Sequence, residues 1–162
     1  EPAEKDSIRP VIRMGFGALQ ERVAGTGDTV LVMERSAKQP NVVTQEIKGL
    51  QPGNLYAFRM FSGDFEDMSR EEKHAVNIEL QNVDMIPDGS YTPVLRYQFG
   101  VSPLSEKTNF WMNYYSLIFR AKDTTAKLTI SDWVNEQEPG GPIGQQLMFN
   151  FVQVHPYYSI DE

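Results

Sequence analysis

The sequence predicts an all-β sandwich, and two features carry that expectation. The first is alternation with a period of two. In the run Trp111 to Ala121, Tyr115, Leu117, Phe119 and Ala121 share one face, while Tyr114, Ser116 and Arg120 share the other. In Ala126 to Trp133, Leu128 and Ile130 point one way and Lys127, Thr129 and Ser131 the other. An antiparallel sheet packed on one face and solvated on the other needs that pattern. The second feature is punctuation: short apolar runs are separated by Gly- and Pro-bearing turns, and no segment sustains a period of 3.6.

The elements follow in chain order. Glu1 to Ile12 is charged and carries two prolines, which reads as a leader or a loosely attached edge. After Gly25-Thr-Gly27, a strand is expected at Thr29 to Met33 and a second at Asn41 to Ile47. Gly49-Leu-Gln-Pro-Gly53 supplies a turn, because Pro52 presets φ and Gly53 admits the positive φ that follows. Leu55 to Phe61 is the third strand. Asp64 to Lys73 is acidic, with Ser69-x-x-Glu72 as the capping box of a single helical turn. Ala75 to Gln81 alternates cleanly through Val76, Ile78 and Leu80. Pro87-Asp-Gly89 reads as a turn, Val94 to Phe99 as a strand, and the residues before Trp111 as a polar loop. The last strand, Gln146 to Val154, is apolar on both faces, as a central strand covered on both sides would be. That makes about eight strands. Residues 25–158 form the domain, and residues 1–24 are a leader or a diverged first strand.

Composition excludes several classes of function. The 162 residues suit one domain with a sizeable core. A formal net charge of −7 argues against a nucleic-acid or anionic-membrane partner. No apolar stretch approaches the roughly 18 residues of a membrane span. The chain opens on Glu1 where a start methionine would stand, which suggests a mature form or an excised segment. Cysteine is absent, so thiol catalysis, disulfides and thiolate metal sites are excluded together. No Asn-x-Ser/Thr acceptor occurs, which argues against a glycosylated eukaryotic exported protein.

No catalytic apparatus stands out. Asp64, Glu66 and Asp67 cluster, yet 22 acidic residues in 162 produce such clusters by chance, and a solvated loop accounts for them. The alternatives are a carboxylate pair for hydrolysis, with His74, or an oxygen-rich site for a structural calcium ion. The spacing is not that of an EF-hand loop. His74 and His155 are isolated from each other and from metal-ligand spacings. There is no Gly-x-Ser-x-Gly elbow, and Gly15-Phe-Gly17 lacks the third glycine of a dinucleotide loop.

Aromatic side chains remain. Trp111, Tyr114, Tyr115, Tyr97, Phe110 and Trp133 lie close in sequence to Asn113, Arg96, Asp132 and Asn135. Sugar recognition needs this mixture: rings that stack on the C–H face of a pyranose, and planar polar groups that pair with hydroxyls. Tyr115 and Phe119 serve a core equally well, and so do the two tryptophans. Tyr114, projecting opposite Tyr115, is the better site candidate. Tyr157 and Tyr158 read as a hydrophobic plug or a domain junction.

Three segments taken in order resemble the galactose-binding-like jelly rolls. Val43-Thr-Gln-Glu-Ile-Lys-Gly-Leu-Gln-Pro-Gly-Asn-Leu-Tyr56 is similar to that family's strand, "G-L-x-P-G" turn and "Y-x-F/L" strand. The run from Trp111 through Phe119-Arg-Ala to Ala126-Lys-Leu-Thr-Ile130 resembles its "W…F-x-A…A-x-L-x-I" strand pair. Leu147-Met-Phe-Asn-Phe-Val-Gln-Val154 resembles its closing strand. The resemblance covers residues 29–154. It implies a jelly-roll sandwich that binds carbohydrate without chemistry, a lectin-like module of a secreted, periplasmic or cell-surface bacterial protein with other domains. The family commonly carries Asp, often part of a structural calcium site, where this chain has Asn150, and its "N-x-x-F-E" opening is not recognisable before Gly25. The expected ligand-binding residues are Trp111, Asn113, Tyr114, Tyr97, Asp64 and Trp133. A structural or protein-docking sandwich is the alternative, since one fold hosts both uses.

Overall fold

A computed structural model describes residues 8–12, 29–99 and 108–158, and all regular structure among them is β. The strands are β1 (Ile8–Ile12), β2 (Thr29–Glu34), β3 (Val42–Ile47), β4 (Leu55–Asp64), β5 (Asn77–Gln81), β6 (Val83–Tyr91), β7 (Val94–Phe99), β8 (Thr108–Ala121), β9 (Ala126–Ser131) and β10 (Gln146–Pro156). They make two antiparallel sheets packed as a sandwich. The larger runs β1-β2-β10-β4-β8-β6, with β7 also on β8; the smaller runs β3-β9-β5. From β2 to β5 the chain crosses between sheets at every step, and it does so again from β8 to β10. The Gly15 and Gly25 segments and the loop before β8 lie outside the described residues.

The alternation seen in the sequence becomes the two sides of the larger sheet. Facing the smaller sheet are Met33 of β2, Tyr56, Phe58 and Met60 of β4, Tyr115 and Phe119 of β8, and Leu147 and Phe149 of β10. They meet Ala126, Leu128 and Ile130 of β9, and Val43, Ile78 and Leu80 close the margins. Each fully buried large side chain here contributes about 1.5–3 kcal/mol. Val30, Val32, Met112 and Met148 face the other way and form a second cluster under Met68. So β10, seated between β2 and β4, is apolar on both faces at Leu147 to Phe149 because both faces are covered.

The Gly49 to Gly53 turn forms as its residues require. Asn54 N–H donates to the Gln51 carbonyl at 3.1 Å, and Gly53 takes φ of 89° after Pro52. Elsewhere the structure corrects two expectations. Residues 64–73 hold no helix. The Asp64 carboxylate accepts the N–H groups of Glu66 and Asp67, each at 3.0 Å, and Asp67 accepts that of Ser69. Local side-chain acceptors satisfy the amides that a helix would have used. Pro87-Asp-Gly89 is not a turn between strands but an irregularity inside β6, where the register shifts between Ile86 and Tyr91. Ser90 Oγ accepts the Ile118 N–H at 2.9 Å and donates to the Ile86 carbonyl at 2.7 Å, which repairs the interrupted ladder. At the other end of the chain, Ile8–Ile12 pairs with β2 as an edge strand with Pro10 inside it, in keeping with the edge alternative for these residues.

Candidate functional site

The strand pattern lifts one group of aromatic residues onto the outer face of the larger sheet. On β4, Arg59 and Phe61 alternate with the core residues Phe58 and Met60, so they point outward. On β8, Tyr114 points outward beside them, because Phe61 and Tyr114 are cross-strand partners. Leu95 and Tyr97 of β7 continue the face. From β10 come Phe151 and Gln153, and these arrive by an irregularity. The β10–β4 register shifts between Asn150 and Gln153, with Phe151 in the left-handed region at φ of 53°. Asn150 Oδ1 accepts the Phe151 N–H at 2.8 Å, a local bond suited to the bend.

These seven side chains line a shallow open groove of about 270 Å³. Phe61 lies at its centre. Its ring centroid is 4.9 Å from Tyr114, 5.7 Å from Phe151 and 6.0 Å from Tyr97, the last two in edge-on geometry. Tyr91, at the end of β6, stands 5.7 Å from Tyr114 and is 54% exposed, so it extends the aromatic surface at the rim. The backbone fixes that placement: Tyr114 N–H donates to the Pro93 carbonyl at 2.9 Å, which holds the β6–β7 link against β8. Burial, reinforced by the neighbouring Tyr114, pushes the Tyr97 phenol above its ordinary pKa, so its hydroxyl stays protonated at neutral pH. Arg59 Nε is buried without a hydrogen-bond partner. No Asp or Glu lines the groove.

Of the six residues expected from sequence, the structure brings Tyr97 and Tyr114 together here. Trp111 is half-buried and by alternation falls on the face of β8 opposite Tyr114. Asn113 is fully buried, accepting the His74 N–H at 2.9 Å and donating to the Glu72 carbonyl at 2.7 Å. Asp64 is buried at its loop, where Gln145 Nε2 donates to it at 3.0 Å. Trp133 is buried, and its Nε1–H donates to the Ser36 carbonyl at 2.9 Å. These three side chains are spent inside the fold. Sequence reasoning missed Arg59, Phe61, Tyr91, Phe151 and Gln153. Parity along β4 points to the first two, but nothing local in sequence announces the bend that delivers Phe151.

A second polar region is structural. Arg35 is 1% exposed; it donates to the carbonyls of Ala75 and Asp132 and to Gln145 Oε1. The fully buried Asp132 carboxylate accepts two bonds from Asn41, at 2.8 and 2.7 Å. Nearby, Ser62 Oγ lies 2.8 Å from His74 Nδ1 and 2.9 Å from the Tyr115 hydroxyl. Burial lowers the His74 pKa and pushes that of Tyr115 up to about 12, so this trio is neutral near pH 7. Ser62 has no exposed surface, and a nucleophile sealed from solvent meets no substrate.

The acidic loop does not fit a calcium ion. Asp64 and Asp67 already accept backbone amides, and the Arg70 guanidinium lies 3.5 Å from Asp64, 3.4 Å from Asp67 and 3.9 Å from Glu72. An internal cation stands where an external one would go. Asn150 spends its side-chain oxygen on the bend. Among the described residues no cluster of three metal-ligating side chains occurs.

At one end of the sandwich, Lys48, the Gly49–Asn54 turn, Arg120, Tyr157 and Tyr158 line a larger hollow of about 730 Å³. Its cations have partners: Lys48 lies 3.6 Å from Glu46, and Arg120 donates to the Gly53 carbonyl. Tyr158 is 84% exposed. Among the described residues no helix is long and apolar enough to cross a membrane. No family profile, curated protein or solved structure matches the chain.

Proposed function

We propose that this protein is a carbohydrate-binding module that performs no chemistry of its own, with the outer groove of the larger sheet as its site. One observation carries the reading: Tyr91, Tyr97, Tyr114, Phe61 and Phe151 form a continuous aromatic surface, open to solvent, with Arg59 and Gln153 at its edge. Rings held by one another keep their orientation without a ligand, so little entropy is lost when a pyranose stacks on them. Gln153 presents an amide able both to donate to and to accept from sugar hydroxyls. The groove is open at its sides, which suits a chain passing across it better than a small molecule enclosed in it.

The crossing of consecutive strands between sheets supports the jelly-roll form of the sandwich, and with it the galactose-binding-like resemblance. On that reading the protein is an exported bacterial module with further domains in its parent chain. Affinity from stacking and a few hydroxyl contacts falls in the micromolar to millimolar range, about −8 to −4 kcal/mol. The test is binding of labelled protein to an array of glycans and polysaccharides. Selective retention on one sugar class is the expected result. Silence across the array, with and without added calcium, defeats the proposal and favours a protein-docking module.

A further inference from the structure

Resting on the carbohydrate reading of the groove, we infer that its ligand is an anionic sugar, one whose pyranose ring carries a carboxylate or a sulfate. Three observations converge. First, Arg59 is the sole charged residue lining the groove, in a chain whose net charge is −7. Acidic side chains elsewhere on the described surface repel an anion; here there are none, and the low-dielectric aromatic walls strengthen whatever attraction remains.

Second, among the described residues no carboxylate pairs with this guanidinium. Its Nε is buried and without a partner. A donor taken out of water and left unpaired costs about 1–3 kcal/mol. An oxyanion arriving in the groove meets this guanidinium with no competing carboxylate, and its charge-assisted hydrogen bonds are about twice as strong as those a neutral hydroxyl makes. Third, the backbone that carries Arg59 is fixed. Arg59 belongs to β4 at the centre of the sheet, paired with β8 at Ser116 and with β10 at Gln153. Its planar fork is matched to two oxygens of one acidic group, and the phenol rings of Tyr97 and Tyr114 lie in the same groove to hold the sugar face.

Neutral and charged polymers of the same sugar decide the matter with the unaltered protein. Affinity electrophoresis or calorimetry would compare polygalacturonate, its fully methyl-esterified form, a neutral galactan, a sulfated galactan and poly-L-glutamate. Binding to polygalacturonate or to the sulfated galactan should exceed that to the esterified and neutral polymers at least tenfold, and should weaken as salt rises. Whichever of the two anionic polymers binds tighter names the acidic group. Arg59→Gln should erase the preference, with Arg59→Lys keeping part of it. Equal binding to neutral and anionic polymers overturns the inference and leaves the carbohydrate reading standing. Binding to none of the polysaccharides overturns both. Equal binding to poly-L-glutamate also overturns it, because charge alone would then be recognised. An Arg59→Gln variant that is folded by circular dichroism and keeps its anion preference removes the guanidinium from the site.

Discussion

Replacing Tyr114 by alanine separates recognition from folding. The ring is half-buried, with Phe61 on one side at 4.9 Å and Tyr91 at 5.7 Å. An aromatic side chain can bury roughly 200 Å², and one ring face is about a third of that. At about 25 cal/mol per Å², covering that face contributes about 1.5 kcal/mol, and the apolar face of the sugar contributes a similar amount. The truncation should therefore weaken binding by about ten- to a hundredfold, enough to take a weak binder out of range. It also removes two aromatic contacts, each contributing about 0.5–1.5 kcal/mol, so stability should fall by about 1–3 kcal/mol. For a chain of this length that lowers the thermal midpoint by about 2–4 °C per kcal/mol lost. Calorimetric titration beside a thermal melt measures both. A Tyr114→Ala protein that binds as tightly as the parent refutes the groove as the site. One that no longer folds refutes the placement of Tyr114 outside the main core.

Other outcomes follow from the same structure. Sugar binding should leave tryptophan emission unchanged, because Trp133 is buried and Trp111 lies on the opposite face of β8 from Tyr114; a spectral shift on titration would move the site toward Trp111. Asp132→Ala leaves two Asn41 donors without their acceptor and removes a nearby negative charge from Arg35, which keeps its bond to the residue-132 carbonyl, and should cost about 2–4 kcal/mol by denaturant unfolding; a loss under 1 kcal/mol would show that the network contributes little. Gly141→Ala places a methyl 2.8 Å from the Arg35 guanidinium carbon, and that side chain is pinned by its bonds, so a loss of about 1–3 kcal/mol is expected. His74 has a folded pKa below its ordinary value, chiefly through burial, so the unfolded state binds the extra proton first as pH falls. Stability should drop as pH goes below about 6.5, by at most about 1.4 kcal/mol per pH unit from this group, and His74→Gln should flatten that part of the profile.

The sandwich was legible because its strands carry their burial in their own alternation. Tyr115, Leu117 and Phe119 fall where a period of two places them, and Gly53 forms the turn that Pro52 prepares. What escaped were features that depend on bonds between distant positions or on backbone irregularity. Ser90 repairs a break that looked like a turn, and the acids near residue 64 serve their own loop's amides. The site divides the same way. Tyr97, expected from aromatic content, and Tyr114, expected from parity as well, line the groove. Asn113, Asp64 and Trp133 have the right chemistry for sugar, but long-range partners at Glu72, Gln145 and Ser36 take it up. Phe151 reaches the groove only through the bend at Asn150.

The most direct test is amide and aromatic chemical-shift mapping during titration with the polysaccharide that binds tightest. Shifts confined to Arg59, Phe61, Tyr91, Tyr97, Tyr114, Phe151 and Gln153 are predicted. Shifts centred instead on Lys48, Arg120, Tyr157 and Tyr158 at the end of the sandwich would contradict the account.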